Sequence, residues 1–317
     1  MNPAFSVIFF TTLSGAGYGL LSWAALASMT GGIPARALLV ALLLGMLLCG
    51  AGLLASFWHL GKPLRAWRAF SQWRTSWLSR EGVLAVASFV PALLLAAAML
   101  PALLDGSAKG GMPALNLAGH AIAIALLACA TATVYSTAMI YASLKPIPAW
   151  RHPLVVPVYL GFAWLTGGLL LATLASMHGA SPGGLPALFG IVLAAALWWA
   201  KQRYWRDLEA PLPATRGDAI GLPSRKASVF ERPHTEANYI TREMAFVVAR
   251  NHATWLRRFA IVAFALVPLA CLLPVWWFVH LDATPWLAFA SASAIAGAFV
   301  ERWLFFAEAK HLVTLYY

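Results

Sequence analysis

Between the second and third long apolar runs of this chain stand residues able to pass protons and hold an anion. They are Ser56-Phe57-Trp58-His59-Leu60-Gly61-Lys62-Pro63-Leu64-Arg65-Ala66-Trp67-Arg68-Ala69-Phe70, continuing through Trp73-Arg74-Thr75-Ser76-Trp77-Leu78-Ser79-Arg80-Glu81. The His59 imidazole can donate and shuttle a proton near neutral pH. Arg65 offers a fixed positive charge to a reduced oxygen. Glu81, just before the apolar run that starts at Val83, can relay a proton to or from water. Gly61 and Pro63 end a helix and turn the chain. Leu64, Trp67, Phe70, Trp73 and Trp77 recur at three- or four-residue spacing, which predicts an amphipathic helix lying in the membrane interface, aromatic face inward. A quinone needs such a place: an apolar slot, here walled by Trp67 and Trp77, a donor for each carbonyl, and groups that deliver protons as electrons arrive. The competing reading is a basic interfacial anchor whose arginines touch lipid phosphates.

The elements that must position these groups are membrane helices. Of 317 residues, 61% are hydrophobic and only 10% charged, against about half and a quarter in soluble domains. Such a chain cannot wet the surface of a soluble protein, which excludes a cytosolic enzyme, a disordered chain and a disulfide scaffold. Eight apolar runs of membrane length lie at roughly 5–29, 37–58, 83–104, 117–144, 155–176, 185–200, 259–281 and 285–308. The sixth is short, and Trp198, Trp199 and Tyr204 extend it into the interface. The first lacks a basic leading segment and a small-residue cleavage site, and reads as a retained helix. The expected fold class is therefore all-α, a polytopic membrane protein of eight transmembrane helices in one domain, 1–317, with a basic loop at 201–258. Gly15, Gly17, Gly19, Gly45, Gly50 and Gly52 suit close helix packing, and Pro91, Pro157, Pro268 and Pro274 are expected to kink their helices.

Charge sets the orientation. Twenty of the 22 Lys and Arg fall on the side that holds both termini, and two, Arg36 and Lys109, on the other. Both termini, and the His59–Glu81 segment with them, are expected on the cytoplasmic face. The net charge of +11 thus belongs to loops and implies no nucleic acid. No span centre carries an ionisable residue. His120 and His280 lie near outer ends, and Glu301 and Arg302 in the inner part of the last span, close enough to pair or snorkel. That pattern argues against an ion-coupled transporter and against a haem core held by facing histidines. Cys49, Cys129 and Cys271 stand in apolar stretches without a CxxC cluster, so no iron–sulfur or zinc site is expected on this chain, and no metal site at all. The loop 201–258 has a Pro/Gly-rich part, Ala210 to Pro223, then a segment from Thr235 to Arg250 that can form a helix leading to the seventh span. Its basic character suits docking of an acidic cytoplasmic partner.

The run from His59 to Trp67, followed by Trp77-Leu78-Ser79-Arg80-Glu81, resembles the membrane-anchor subunit of the dimethyl sulfoxide reductase family. The opening Asn2 to Thr12 and the segment Thr241-Arg242-Glu243-Met244-Ala245-Phe246 look closest to the branch found in cytoplasmic sulfite dehydrogenases. The resemblance implies a bacterial inner-membrane complex of three subunits. A molybdopterin subunit does the chemistry, here most simply sulfite oxidation. A four-cluster iron–sulfur subunit docks on the cytoplasmic face. The anchor, without haem, exchanges electrons with ubiquinone or menaquinone. On that pattern His59, Gly61, Arg65 and Glu81 fall on quinone-binding positions. Other readings are an anchor that oxidises quinol for a reductase, a passive anchor, and a small-molecule permease.

Overall fold

The computed structural model describes residues 4–58, 60–104, 111–180, 184–210, 214–223, 225–228, 230–231, 248–278 and 280–315; of residues 104 and 248–251 the backbone alone is described. His59, Lys109, the first three residues and most of the segment from Thr235 to Arg250 lie outside that description or have no described side chain. The described residues form helices and no strand, and eight helices are long and apolar enough to cross a membrane: Phe5–Thr30, Ala35–Phe57, Trp77–Leu103, Leu117–Ala142, Val155–Met177, Leu185–Leu208, His252–Trp277 and Thr284–Ala307. They are called the first to eighth spans below.

The first span is the hub. It packs on the second, fourth, fifth and eighth, and it is the most enclosed of the eight. Small residues make this possible. A Cβ on Gly19 would collide with the Ala163 carbonyl, and one on Gly167 would collide with the backbone of Gly19 and Leu20. The first and fifth spans therefore touch backbone to backbone, as membrane helices do when small residues let them. Gly17, Gly45 and Gly52 serve the contact between the first and second spans in the same way, whereas Gly15 and Gly50 face open space.

Prolines act where they remove a needed hydrogen bond. The third span is interrupted at Ser88 and Met99, each a few residues before a proline (Pro91 and Pro101). The seventh carries a π-helical stretch, Val262–Leu266, ahead of Pro268, and Pro274 lies inside its last helical segment. Pro157 does not kink its helix. It stands in the first turn of the fifth span, where its missing N–H had no intrahelical partner to lose.

Three spans differ by several residues from the bounds drawn from hydropathy, the seventh beginning at His252 and ending at Trp277 where 259–281 is expected. The third span begins at Trp77, capped by the Ser76 side chain, which accepts from the Ser79 N–H at 3.4 Å. The sixth continues to Leu208. Tyr204 lies within this continuation. It is buried, and its hydroxyl donates to the Ala149 carbonyl at 3.2 Å.

Candidate functional site

Pro63 to Gln72 form a 3-10 helix and not the α-helix expected, and Trp77 belongs to the third span instead of continuing the stripe. Leu64, Trp67, Phe70 and Trp73 are three residues apart, which stacks them on one face at three residues per turn. All four are exposed on the protein and present an aromatic shelf.

The following helix clamps this shelf. The Ser79 hydroxyl donates to the Ala69 carbonyl and accepts from the Gln72 N–H at 3.1 Å. Arg80 donates from Nε to the Trp73 carbonyl at 3.0 Å and from a terminal nitrogen to the Arg74 carbonyl at 2.6 Å. Its guanidinium lies 4.3 Å from the centre of the Trp77 ring, which in turn meets the edge of Tyr135 at 5.7 Å. Gly82 lets Phe70 lie against the helix, since a Cβ there would come to 3.3 Å from the phenyl ring. Ser76, Ser79 and Arg80 thus owe their place to structure.

Glu81 points the other way. It is 3% exposed and faces the fourth span, where the Thr137 hydroxyl donates to its carboxylate. Hydropathy puts Glu81 at the membrane edge; the earlier helix start carries it inside the bundle. The other candidates remain outside. Gly61, Arg65 and Trp67 are exposed on the turn and the shelf. No hydrogen bond or ion pair joins Arg65 to Glu81 among the described residues. The backbone therefore brings Glu81, Trp77 and the shelf to one end of the third span, while Arg65 stands apart and His59 lies outside the described residues.

A second polar cluster is foreseen from the sequence only in its Glu301–Arg302 pair; its lysine is not. Lys201, on the sixth span, donates from Nζ to Glu301 Oε1 of the eighth at 2.6 Å, and Arg302 lies 3.2 Å from the other carboxylate oxygen. All three side chains are buried. Aromatic faces cover the cations: Lys201 stands 4.0 Å from the Tyr204 ring, and the Arg302 guanidinium 3.5 Å from that of Tyr159. Nearer the helix ends Arg257 bridges Glu308 at 2.9 Å and Glu209 at 2.7 Å. The signal is present in the pattern Leu197, Lys201, Tyr204, Leu208, which continues the inward face of the sixth helix past its first lysine.

Among the described residues no three His, Cys, Asp or Glu side chains gather as metal ligands would. A large cavity, about 450 Å³, opens at the opposite ends of the spans. Trp23, Trp164, Phe189 and Leu272 line it, it contains no ionisable side chain, and the Trp23 indole N–H already donates to the Trp164 carbonyl at 2.9 Å.

Residues 1–307 match the family described as DMSO reductase anchor subunit (DmsC). The chain is also 35% identical to a sulfite dehydrogenase subunit of Allochromatium vinosum over an alignment of 342 residues, which covers 100% of this chain and 99% of the relative.

Proposed function

The chain belongs to the DMSO reductase anchor-subunit family, and on that premise we propose that it exchanges electrons between a partner iron–sulfur subunit and a membrane quinone at the Trp77 end of the third span. It is the multi-pass anchor of an oxidoreductase complex. The finer reading places it in a bacterial inner membrane with both termini cytoplasmic. A four-cluster iron–sulfur subunit docks on that face, over the shelf and the basic loop 201–258, and a molybdopterin subunit sits beyond it. The relative's name favours sulfite as the electron source. The reverse flow, quinol oxidation for a reductase, would use the same site.

The observation that carries the reading is Glu81, a carboxyl group enclosed at 3% exposure directly behind a clamped aromatic shelf. Ionisable groups inside a membrane are costly and mark proton or substrate routes. The residues fit a quinone headgroup on chemical grounds. Trp67 and Trp77 supply aromatic walls, Gly61 leaves room at the turn, Arg65 a fixed cation, and Glu81 and His59 the proton-passing groups. Bound there, a quinone takes up two electrons and two protons. Glu81 gives up a proton at its carboxyl and regains it through the protein, His59 does the same at its imidazole from the aqueous face, and Arg65 offsets negative charge on the reduced oxygen. The larger cleft at Trp23 and Trp164 has room for a headgroup, but no ionisable side chain lines it among the described residues.

Replacing His59 or Arg65 by Ala, or Glu81 by Gln, should abolish quinone-coupled turnover of the assembled complex while electron delivery to a soluble artificial acceptor continues. Unchanged quinone-coupled turnover in all three would refute the site.

A further inference from the structure

Thr137 faces two ways. Its hydroxyl is within hydrogen-bond reach of Glu81 and of the Thr133 carbonyl at 3.1 Å, and its side chain also lines a cavity of about 20 Å³ between the first, fourth, fifth and eighth spans. Most hydroxyls around this cavity donate to their own helices: Thr11 to Val7 at 2.9 Å, Ser14 to Phe10 at 2.6 Å, Thr166 to Phe162 at 2.7 Å. The Tyr18 hydroxyl donates across to the Ala85 carbonyl at 3.3 Å, and three polar atoms remain. Thr12 Oγ1, the Tyr159 hydroxyl and one Arg302 terminal nitrogen are buried and have no hydrogen-bond partner among the described residues. Arg302 lies 3.2 Å from Glu301, yet not aligned to donate to it. Buried polar groups are satisfied in native proteins, and one water needs about 10–15 Å³ and two to four polar partners. Size and lining of this cavity both meet that requirement.

A second cavity, about 10 Å³, lies beyond Tyr159 and Arg302 and is lined as well by Lys201, Tyr204 and Glu301. Tyr159 and Arg302 form the partition between the two, and the Tyr159 hydroxyl can both accept and donate a proton. On the far side stand Lys201 and Glu301, and the Trp205 ring, 4.7 Å from Lys201, also lies 5.6 Å from Arg257 at the charged helix ends.

We propose that the cavity between Thr12, Thr137, Tyr159 and Arg302 binds water and is the middle of a proton relay that joins Glu81 to the Lys201–Glu301 pair. The relay rests on the reading of Glu81 as the group that protonates the quinone. When Glu81 loses a proton it takes another from the Thr137 hydroxyl. Thr137 is refilled from the cavity water, the water from Tyr159, and Tyr159 from the Lys201–Glu301 pair, which recovers its proton from the aqueous side at the helix ends. Each O–H or N–H bond broken along the way is re-formed with the next proton, so one proton enters for each that leaves. Arg302 keeps its own protons and stays a fixed cation that orients the water.

The test compares quinone-coupled with soluble-acceptor turnover of the complete complex in membranes, as a ratio, so that the amount of assembled complex cancels. Tyr159→Phe removes one hydroxyl that does not touch Glu81 and should lower the ratio at least about tenfold through kcat, leave the KM for quinone unchanged, and raise the solvent deuterium isotope effect. Thr137→Val should do the same, and Thr137→Ser should restore the ratio. Gly50→Ala, facing open space, serves as the unaffected control. Ratios within twofold of wild type for both Tyr159→Phe and Thr137→Val, with Glu81→Gln inactive, would overturn the relay and leave the quinone site standing. If Glu81→Gln is itself fully active, the quinone reading falls and the relay with it. Should Tyr159→Phe not assemble, Thr12→Val probes the same water, with a lowered ratio expected and an unchanged one overturning the relay.

Discussion

Replacing Glu301 by Gln leaves Lys201 and Arg302 inside the helix bundle with no anion against either. The two contacts it breaks are 2.6 and 3.2 Å long. At an effective dielectric near 20 each is a Coulomb attraction of roughly 5–6 kcal/mol before the desolvation penalty is subtracted. Removing one member of a buried ion pair costs about 3–5 kcal/mol net, because the stranded charge stays behind. Lys201→Met is milder, since Glu301 keeps Arg302 beside it, and a loss of about 1–3 kcal/mol is expected. The sharper expectation concerns the two together. In the double variant one cation is stranded instead of two, so adding Lys201→Met to Glu301→Gln should return about 1–3 kcal/mol, a coupling that only neighbours show. Denaturant titration of the purified chain in mixed micelles, followed by Trp fluorescence, reads all four free energies. A double variant no more stable than Glu301→Gln, or a Glu301→Gln variant within about 1 kcal/mol of wild type, would refute the buried triad as a coupled unit.

Close packing of the first and fifth spans makes a steric prediction: Gly19→Val, whose Cβ would collide with the Ala163 carbonyl, should fail to accumulate in membranes, while Gly50→Ala accumulates normally by immunoblot. The clamp on the shelf makes another. Arg80→Ala removes two hydrogen bonds to the Trp73 and Arg74 carbonyls, so amide hydrogen exchange over residues 63–74 should quicken at least about tenfold while the spans stay protected.

Most of the helix count is legible because lipid demands long apolar runs, and eight of them stand in the chain. What hydropathy hides is polar chemistry at their ends. A lysine looks like the end of a span, so Lys201 reads as loop, although the apolar face of its helix runs on to Leu208. Glu81 looks like an edge residue for the same reason, because Trp77 to Arg80 are too polar to read as membrane helix until Ser76 is recognised as its cap. The aromatic stripe is legible but its helix type is not, since spacings of three serve α and 3-10 helices alike over a short stretch. The partner of Glu81 cannot be read at all. Thr137 lies far away in sequence and reaches Glu81 only because the third and fourth spans pack together.

The central claim is that the quinone is held at the Trp77 end of the third span, by residues of the segment 59–81. Photolabelling the complete complex in membranes with an azido-quinone, followed by peptide mapping, tests it most directly. The account predicts adducts within residues 59–81, suppressed by excess unlabelled quinone. Suppressible adducts at Trp23, Trp164 or Phe189, with none in 59–81, would contradict it and move the site to the cleft at the other end of the bundle.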